Sequence, residues 1–140
     1  MPESRKGLLQ TDYLTISLIS AGALAFQTTL VRLFSLAQWY HFAFMAVSLA
    51  LLGIGASGSV LYIIPSRWKA RIPSALPWLA LAFSLGVIGS YLAANYIPFD
   101  SYRIAWDFKQ YAYLAAYYLV ISVPFFWGGL ATGAYLAVRP

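Results

Sequence analysis

Residues 40–64 read YHFAFMAVSLALLGIGASGSVLYII, a stretch with no Asp, Glu, Lys or Arg anywhere in it. About 20 predominantly apolar residues suffice to cross a hydrocarbon core of roughly 30 Å as a helix, so this run is long enough to span a bilayer. It also contains a competing signal: Gly53, Ile54, Gly55, Ala56, Ser57 and Gly58 spell G-x-G-x-x-G, the phosphate-binding fingerprint of dinucleotide folds. That fingerprint needs a preceding strand, a following helix and a ribose-binding carboxylate about 20 residues further on. Here the glycines sit inside an unbroken apolar run, and no acidic residue follows until Asp100. The motif is read as helix packing and not as nucleotide binding.

On either side, residues 12–36, 75–97 and 110–138 repeat the pattern of long apolar runs with almost no charge. The predicted fold is therefore all-α: one domain over residues 1–140, an integral membrane bundle of four transmembrane helices. Pro124 removes a backbone donor inside the fourth span, which is expected to kink near Val120. Composition agrees, because a chain that is 61% hydrophobic and 9% charged has too little polar cover for a soluble domain of 140 residues. The net charge of +5 does not point to nucleic acid, since the basic residues flank the spans in small groups and face lipid headgroups instead. With no cysteine and one histidine, disulfides, thiolate metal sites and a zinc cluster are excluded, and no cofactor is expected.

The start of the chain resembles a secretory signal, with Arg5 and Lys6 before an apolar run that reaches the A-x-A pattern of Ala23, Leu24 and Ala25. The run continues through Phe26, Leu30, Val31, Leu33 and Phe34, well beyond an h-region of about 7 to 15 residues, so the segment is read as a retained span. Orientation follows from the basic residues. Arg5 and Lys6, then Arg67, Lys69 and Arg71, then Arg139 all fall on one side of a four-span topology, which places both termini in the cytoplasm. The expected location is a plasma membrane of the bacterial inner-membrane type. Trp39, Tyr40, Trp68, Trp78, Tyr96, Tyr102 and Trp106 lie near span ends, where amphipathic rings favour the headgroup layer. Tyr111, Tyr113, Tyr117 and Tyr118 open the fourth span on more than one helix face and are read as belt residues before an aromatic-ligand site.

Small residues recur at every fourth position: Ser17, Ala21, Ala25 and Thr29 in the first span, Ala82, Gly86, Ser90 and Ala94 in the third, Gly129, Gly133 and Ala137 in the fourth. Such stripes let helices approach closely in lipid, within the bundle or against helices of a larger assembly. Polar groups inside spans are costly and therefore informative. Arg32 is the main candidate, either snorkelling to headgroups or facing the bundle to pair with Asp100 or Asp107. Gln27 can hydrogen-bond across helices, and His41 can do so or respond to pH. Trp39 and Tyr40 complete the first turn with His41, and Arg103 completes the second with Asp100 and Asp107. No carboxylate lies near a span centre, which argues against proton-coupled transport, and no nucleophile–base pair or glycosidase carboxylate pair is present.

The run from Leu30 to Gly58, LVRLFSLAQWYHFAFMAVSLALLGIGASG, resembles the N-terminal membrane region of spermidine synthase-like membrane proteins. A second similar stretch runs from Ile97 to Gly129, with PFDSYRIAWDFKQ, the tyrosine-rich helix and VPFFWGGL in order. In that family a multi-helix membrane domain precedes a Rossmann-like domain related to aminopropyltransferases and methyltransferases. The resemblance implies a non-catalytic membrane domain that anchors or positions such a cytoplasmic domain. Two departures limit it. Family members usually carry an acidic residue where Gln27 stands, so an intramembrane ion pair with Arg32 is lost here, and the aminopropyltransferase-like domain lies outside these residues. The alternatives are an accessory subunit of a larger membrane complex, with other membrane subunits as partners, and a small transporter.

Overall fold

A computed structural model describes residues 2–37, 41–65, 72–99, 103 and 106–138, with side-chain surroundings for 10–36, 44–65, 74–99, 103 and 106–137. Four helices follow one another: α1 (Pro2–Ala37), α2 (His41–Ile63), α3 (Ile72–Tyr96) and α4 (Lys109–Val138). Each is long and apolar enough to cross a membrane, and the described residues contain no strand. The protein is an all-α membrane bundle of four spans. The boundaries lie within a few residues of those expected, except that α1 starts at Pro2, ahead of its apolar window at Gln10. Arg5 and Lys6 thus stand on a helical extension preceding the first span.

The helices are apolar on nearly all faces, so no strong amphipathic stripe selects which face turns inward, as expected where lipid is the solvent. Close approach makes the selection instead. The bundle is organised around α4, which packs along α2 on one side and along α3 on the other, while α2 and α3 barely meet. The α2–α4 seam is the tightest. A Cβ on Gly53 would lie 2.6 Å from the Phe125 Cβ and 2.7 Å from the Ser122 carbonyl oxygen. One on Gly129 would lie 2.5 Å from the Ser57 Oγ and 3.0 Å from the Ile54 Cα. At Gly53 the neighbouring backbone occupies the space a side chain would take, and at Gly129 the Ser57 hydroxyl and the α2 backbone share it.

Of the stripes seen in the sequence, those of α3 and α4 are used internally: Ser90 and Gly129 are buried, and Gly86 comes close to Pro124. The α1 stripe is not, since Ser17, Ala21, Ala25 and Thr29 are all exposed on its outer face. The G-x-G-x-x-G run divides between faces. Gly53 and Ser57 enter the seam, whereas Gly55 and Gly58 have open space around them. Pro124 is buried inside α4, where it leaves the Val120 carbonyl without its helical donor, and the helix continues through it. α3 likewise holds Pro77, near its start, which the apolar pattern did not mark.

Two apolar clusters show how α1 crosses the rest. Leu30 and Phe34 of α1 pack with Ala46, Leu49 and Ala50 of α2 and with Ile121 and Phe125 of α4. Nearer the termini, Ile19 of α1 packs instead with Leu76 and Phe83 of α3 and with Ala131 and Tyr135 of α4. So α1 runs diagonally over α4, from the α3 side at the end that holds the termini to the α2 side at the far end. A diagonal crossing leaves a wedge on each side, and both wedges are present as clefts.

Candidate functional site

The first wedge opens where α1 leaves α2, on the half of the bundle nearer the termini. It is a cleft of about 290 Å³ walled by Ser20, Leu24 and Gln27 of α1, Ile54 of α2, and Phe125 and Thr132 of α4, with Gly128 and Gly129 at its back. The second lies between α1, α3 and α4 in the far half, has a volume of about 100 Å³, and is lined by Leu30, Ser90, Asn95 and Tyr117 among others. The tilted Phe26–Phe125 ring pair, with centroids 5.4 Å apart, stands between them.

Gln27 is half-buried and belongs to the first cleft; among the described residues its amide makes no hydrogen bond. Most hydroxyls of the spans are satisfied by their own helix, as Ser57 is by the Ile54 carbonyl at 2.6 Å and Thr132 by the Gly128 carbonyl at 3.0 Å. A glutamine at this position cannot do the same as readily, because its longer side chain reaches away from the helix.

Arg32 is exposed on the outer face of α1, flanked by the Ala25 and Thr29 turns of the small-residue stripe. Of the two readings, its exposure on the face directed away from α4 favours snorkelling over a turn into the bundle; among the described residues no ion pair joins it to Asp107, and Asp100 lies outside them. Snorkelling remains available, since only about one helical turn separates Arg32 from the end of α1. Asp107 has another role. Its Oδ1 accepts the Lys109 amide at 3.0 Å, an N-cap that satisfies one of the free donors at the start of α4. The Arg103 carbonyl accepts the amides of Trp106 and Asp107, both at 3.0 Å, and this turn delivers Asp107 to the cap. Trp39, Tyr40, Asp100 and the side chain of His41 lie outside the described residues, although His41 opens α2.

The tyrosines of α4 separate by face. Tyr111 and Tyr113 point outward, and Tyr117 and Tyr118 are half-buried. Tyr117 meets Phe34 and Phe99 at centroid distances of 5.9 and 6.0 Å, tying α1 and the α3–α4 connection to α4. The Tyr118 hydroxyl donates to the Met45 sulfur at 2.9 Å, a contact between α4 and α2. These rings act as far-end packing and do not enclose a cage. Trp78, Tyr96 and Trp106 are strongly exposed near helix ends, the placement that suits an interfacial belt.

Sequence reasoning named Gln27 but not its cleft. The cleft is created by the crossing angle of α1, which depends on where Gly22 and Gly128 accept Phe83 on one side and where Leu30 meets α2 on the other. No local sequence signal encodes that angle. Among the described residues there is no group of three metal-ligating side chains. Fold and surface together define a helical membrane bundle whose four described spans are joined by tight glycine seams. No family model, curated protein or solved structure matches the chain.

Proposed function

We propose that this chain is a non-catalytic multi-pass membrane domain that anchors and positions a spermidine synthase-like domain on the cytoplasmic side of a bacterial inner membrane. The observation that favours a support over a conduit is the α2–α4 seam. Backbone meets backbone at Gly53 and Gly129, and Ala46, Ala131 and Ala134 are fully buried, so the middle of the bundle is filled by protein. A solid bundle of this kind suits a role in holding a partner domain at the membrane. The order of motifs from Leu30 to Gly58 and from Ile97 to Gly129 is what ties the reading to that family.

A second reading, an accessory subunit of a membrane complex, is favoured by one observation of its own. The stripe of Ser17, Ala21, Ala25 and Thr29 faces outward, where none of the described helices covers it. One experiment separates the two: the native protein is extracted from its membrane in mild detergent, its intact mass is taken, and its associated chains are identified. A polypeptide far above 15.5 kDa, or a 15.5 kDa chain held to an aminopropyltransferase-like protein, supports the anchor. A 15.5 kDa chain co-purifying with unrelated multi-span subunits moves the accessory reading ahead, and one recovered alone removes the anchor.

A further inference from the structure

We propose that the smaller cleft, between α1, α3 and α4 at the end of the bundle away from the termini, holds one phospholipid. Its phosphodiester would sit on the Arg32 guanidinium, and a glycerol-ester carbonyl on the Asn95 amide and the Tyr117 hydroxyl. The inference stands apart from the anchor reading and does not depend on it.

Depth is the first argument. Phospholipid ester groups border a core of roughly 30 Å and so lie about 15 Å from its centre, with the phosphates just beyond. The apolar window of α1, Gln10–Leu36, has its midpoint at Ala23, and Arg32 lies about 13.5 Å further along the axis, at about 1.5 Å per residue. The window of α3, Ser74–Tyr96, is centred on Leu85, which puts Asn95 about 15 Å out. Tyr117 stands about 9 Å from the α4 midpoint at Val123. Helical side chains lean toward the start of their helix, so its ring reaches further toward the same surface. Three polar side chains from three helices thus come to the level at which a phospholipid changes from hydrocarbon to ester and phosphate.

Chemistry and shape give the second argument. Among the described residues Asn95 and the Tyr117 hydroxyl make no hydrogen bond and Arg32 makes no ion pair, whereas the buried Ser90 beside them is bonded to the Val87 carbonyl at 3.0 Å. Asn95 and Tyr117 both line the cleft, and both can donate to an ester carbonyl. Leu33, half-exposed, stands at the mouth. Arg32 is the next position round α1, about 100° away at nearly the same height, and its long stem lets the guanidinium lie along the mouth. A guanidinium fork matches two phosphate oxygens at once. At about 100 Å³ the cleft has room for an ester group, roughly the share of three waters, and the phosphate and chains stay outside it. An apolar partner helix laid over Leu33 would leave the cation and the amide without acceptors, which the bilayer supplies at this depth.

The test is native mass spectrometry of the detergent-released protein titrated with phosphatidylglycerol. The expected result is a saturable adduct of one lipid per chain. Arg32→Gln should weaken it about tenfold, the scale of a charge-assisted hydrogen bond, and Asn95→Leu about three- to tenfold, that of an uncharged one. Ala94→Phe, which fills the cleft, should weaken it at least as much as Arg32→Gln, and Gly58→Phe on the open face of α2 should leave it unchanged. Diacylglycerol with the same chains lacks the phosphodiester and should not compete. Equal retention of diacylglycerol would show a groove for hydrocarbon chains only and overturn the assignment. Inorganic phosphate bound as tightly as the lipid would show a bare anion site and overturn it too. So would an adduct series that never saturates, or one that Asn95→Leu and Ala94→Phe leave intact. If Ala94→Phe does not fold, Asn95→Leu, at an exposed position, and the diacylglycerol arm still decide.

Discussion

Replacing Gly53 by alanine tests the central contact of the bundle. The new methyl would lie 2.6 Å from the Phe125 Cβ, 2.7 Å from the Ser122 carbonyl oxygen and 2.9 Å from the Phe126 amide nitrogen. Two of these three are backbone atoms of α4 and the third is fixed to its backbone, so no rotamer change relieves the clash. The helices must separate, by about 0.7 Å for the oxygen to reach 3.4 Å. A gap of about 0.5–1 Å forfeits a quarter to a half of each dispersion contact, and the loss extends along the seam through Ser57 and Gly129. Overpacking alone costs about 1–3 kcal/mol. Together these give a destabilisation of about 2 kcal/mol, or a roughly thirtyfold change in the folded-to-unfolded ratio. Gly55→Ala and Gly58→Ala, with nothing within 4 Å of the added methyl, are the controls and should match or exceed the wild type. Equilibrium unfolding in mixed micelles with a rising SDS fraction, followed by tryptophan fluorescence, measures all three. If Gly53→Ala falls within about 0.5 kcal/mol of Gly55→Ala, the seam does not carry the fold and the reasoning fails.

In Gly129→Ala the first obstacle is the Ser57 Oγ, so adding Ser57→Ala should recover part of the lost stability, and the pair should be non-additive in the same unfolding assay. Asp107→Ala removes the α4 N-cap and should cost about 1 kcal/mol, whereas Asp107→Asn, which keeps an acceptor, should stay close to wild type. Tyr118→Phe gives up a hydroxyl bonded only to a weak sulfur acceptor and should cost less than about 1 kcal/mol, with the helical circular dichroism unchanged. Arg32→Ala should leave the unfolding midpoint of the isolated protein nearly unchanged, because Arg32 faces outward; any loss should appear in co-purification from native membrane.

The number, length and order of the helices were readable from hydropathy, because lipid imposes one rule on all four spans: about 20 apolar residues with the backbone bonded internally. Which faces meet was only half readable. Small residues at fourfold spacing marked candidate faces in α1, α3 and α4, but the stripes of α1 and α3 look alike in sequence, and only one of them is used inside the bundle. Both consist of small residues whose Thr29 and Ser90 hydroxyls bond back to their own helix, so neither stripe carries a large cost when it faces lipid. Asp107 was visible as a charged residue beside a span, and the same position also suits an N-cap. The cap reading needed the turn at Arg103, whose geometry is not written in residue type. The clefts were not readable at all, since they follow from the diagonal path of α1 and not from any residue that lines them.

The place of α4 at the hub bears on how the protein is made. α2 and α3 precede it in the chain and scarcely touch, so during synthesis both enter the membrane before the surface they share exists. Until Lys109–Val138 has been inserted, the face carrying Gly53 has only lipid or the insertion machinery to rest on, and Phe83 has its α1 neighbour Gly22 but not Gly128. α1 can meet α2 and α3 earlier, but completion of the bundle is a late event that waits on one helix, and an intermediate stalled before that helix should be the form most exposed to membrane quality-control proteases.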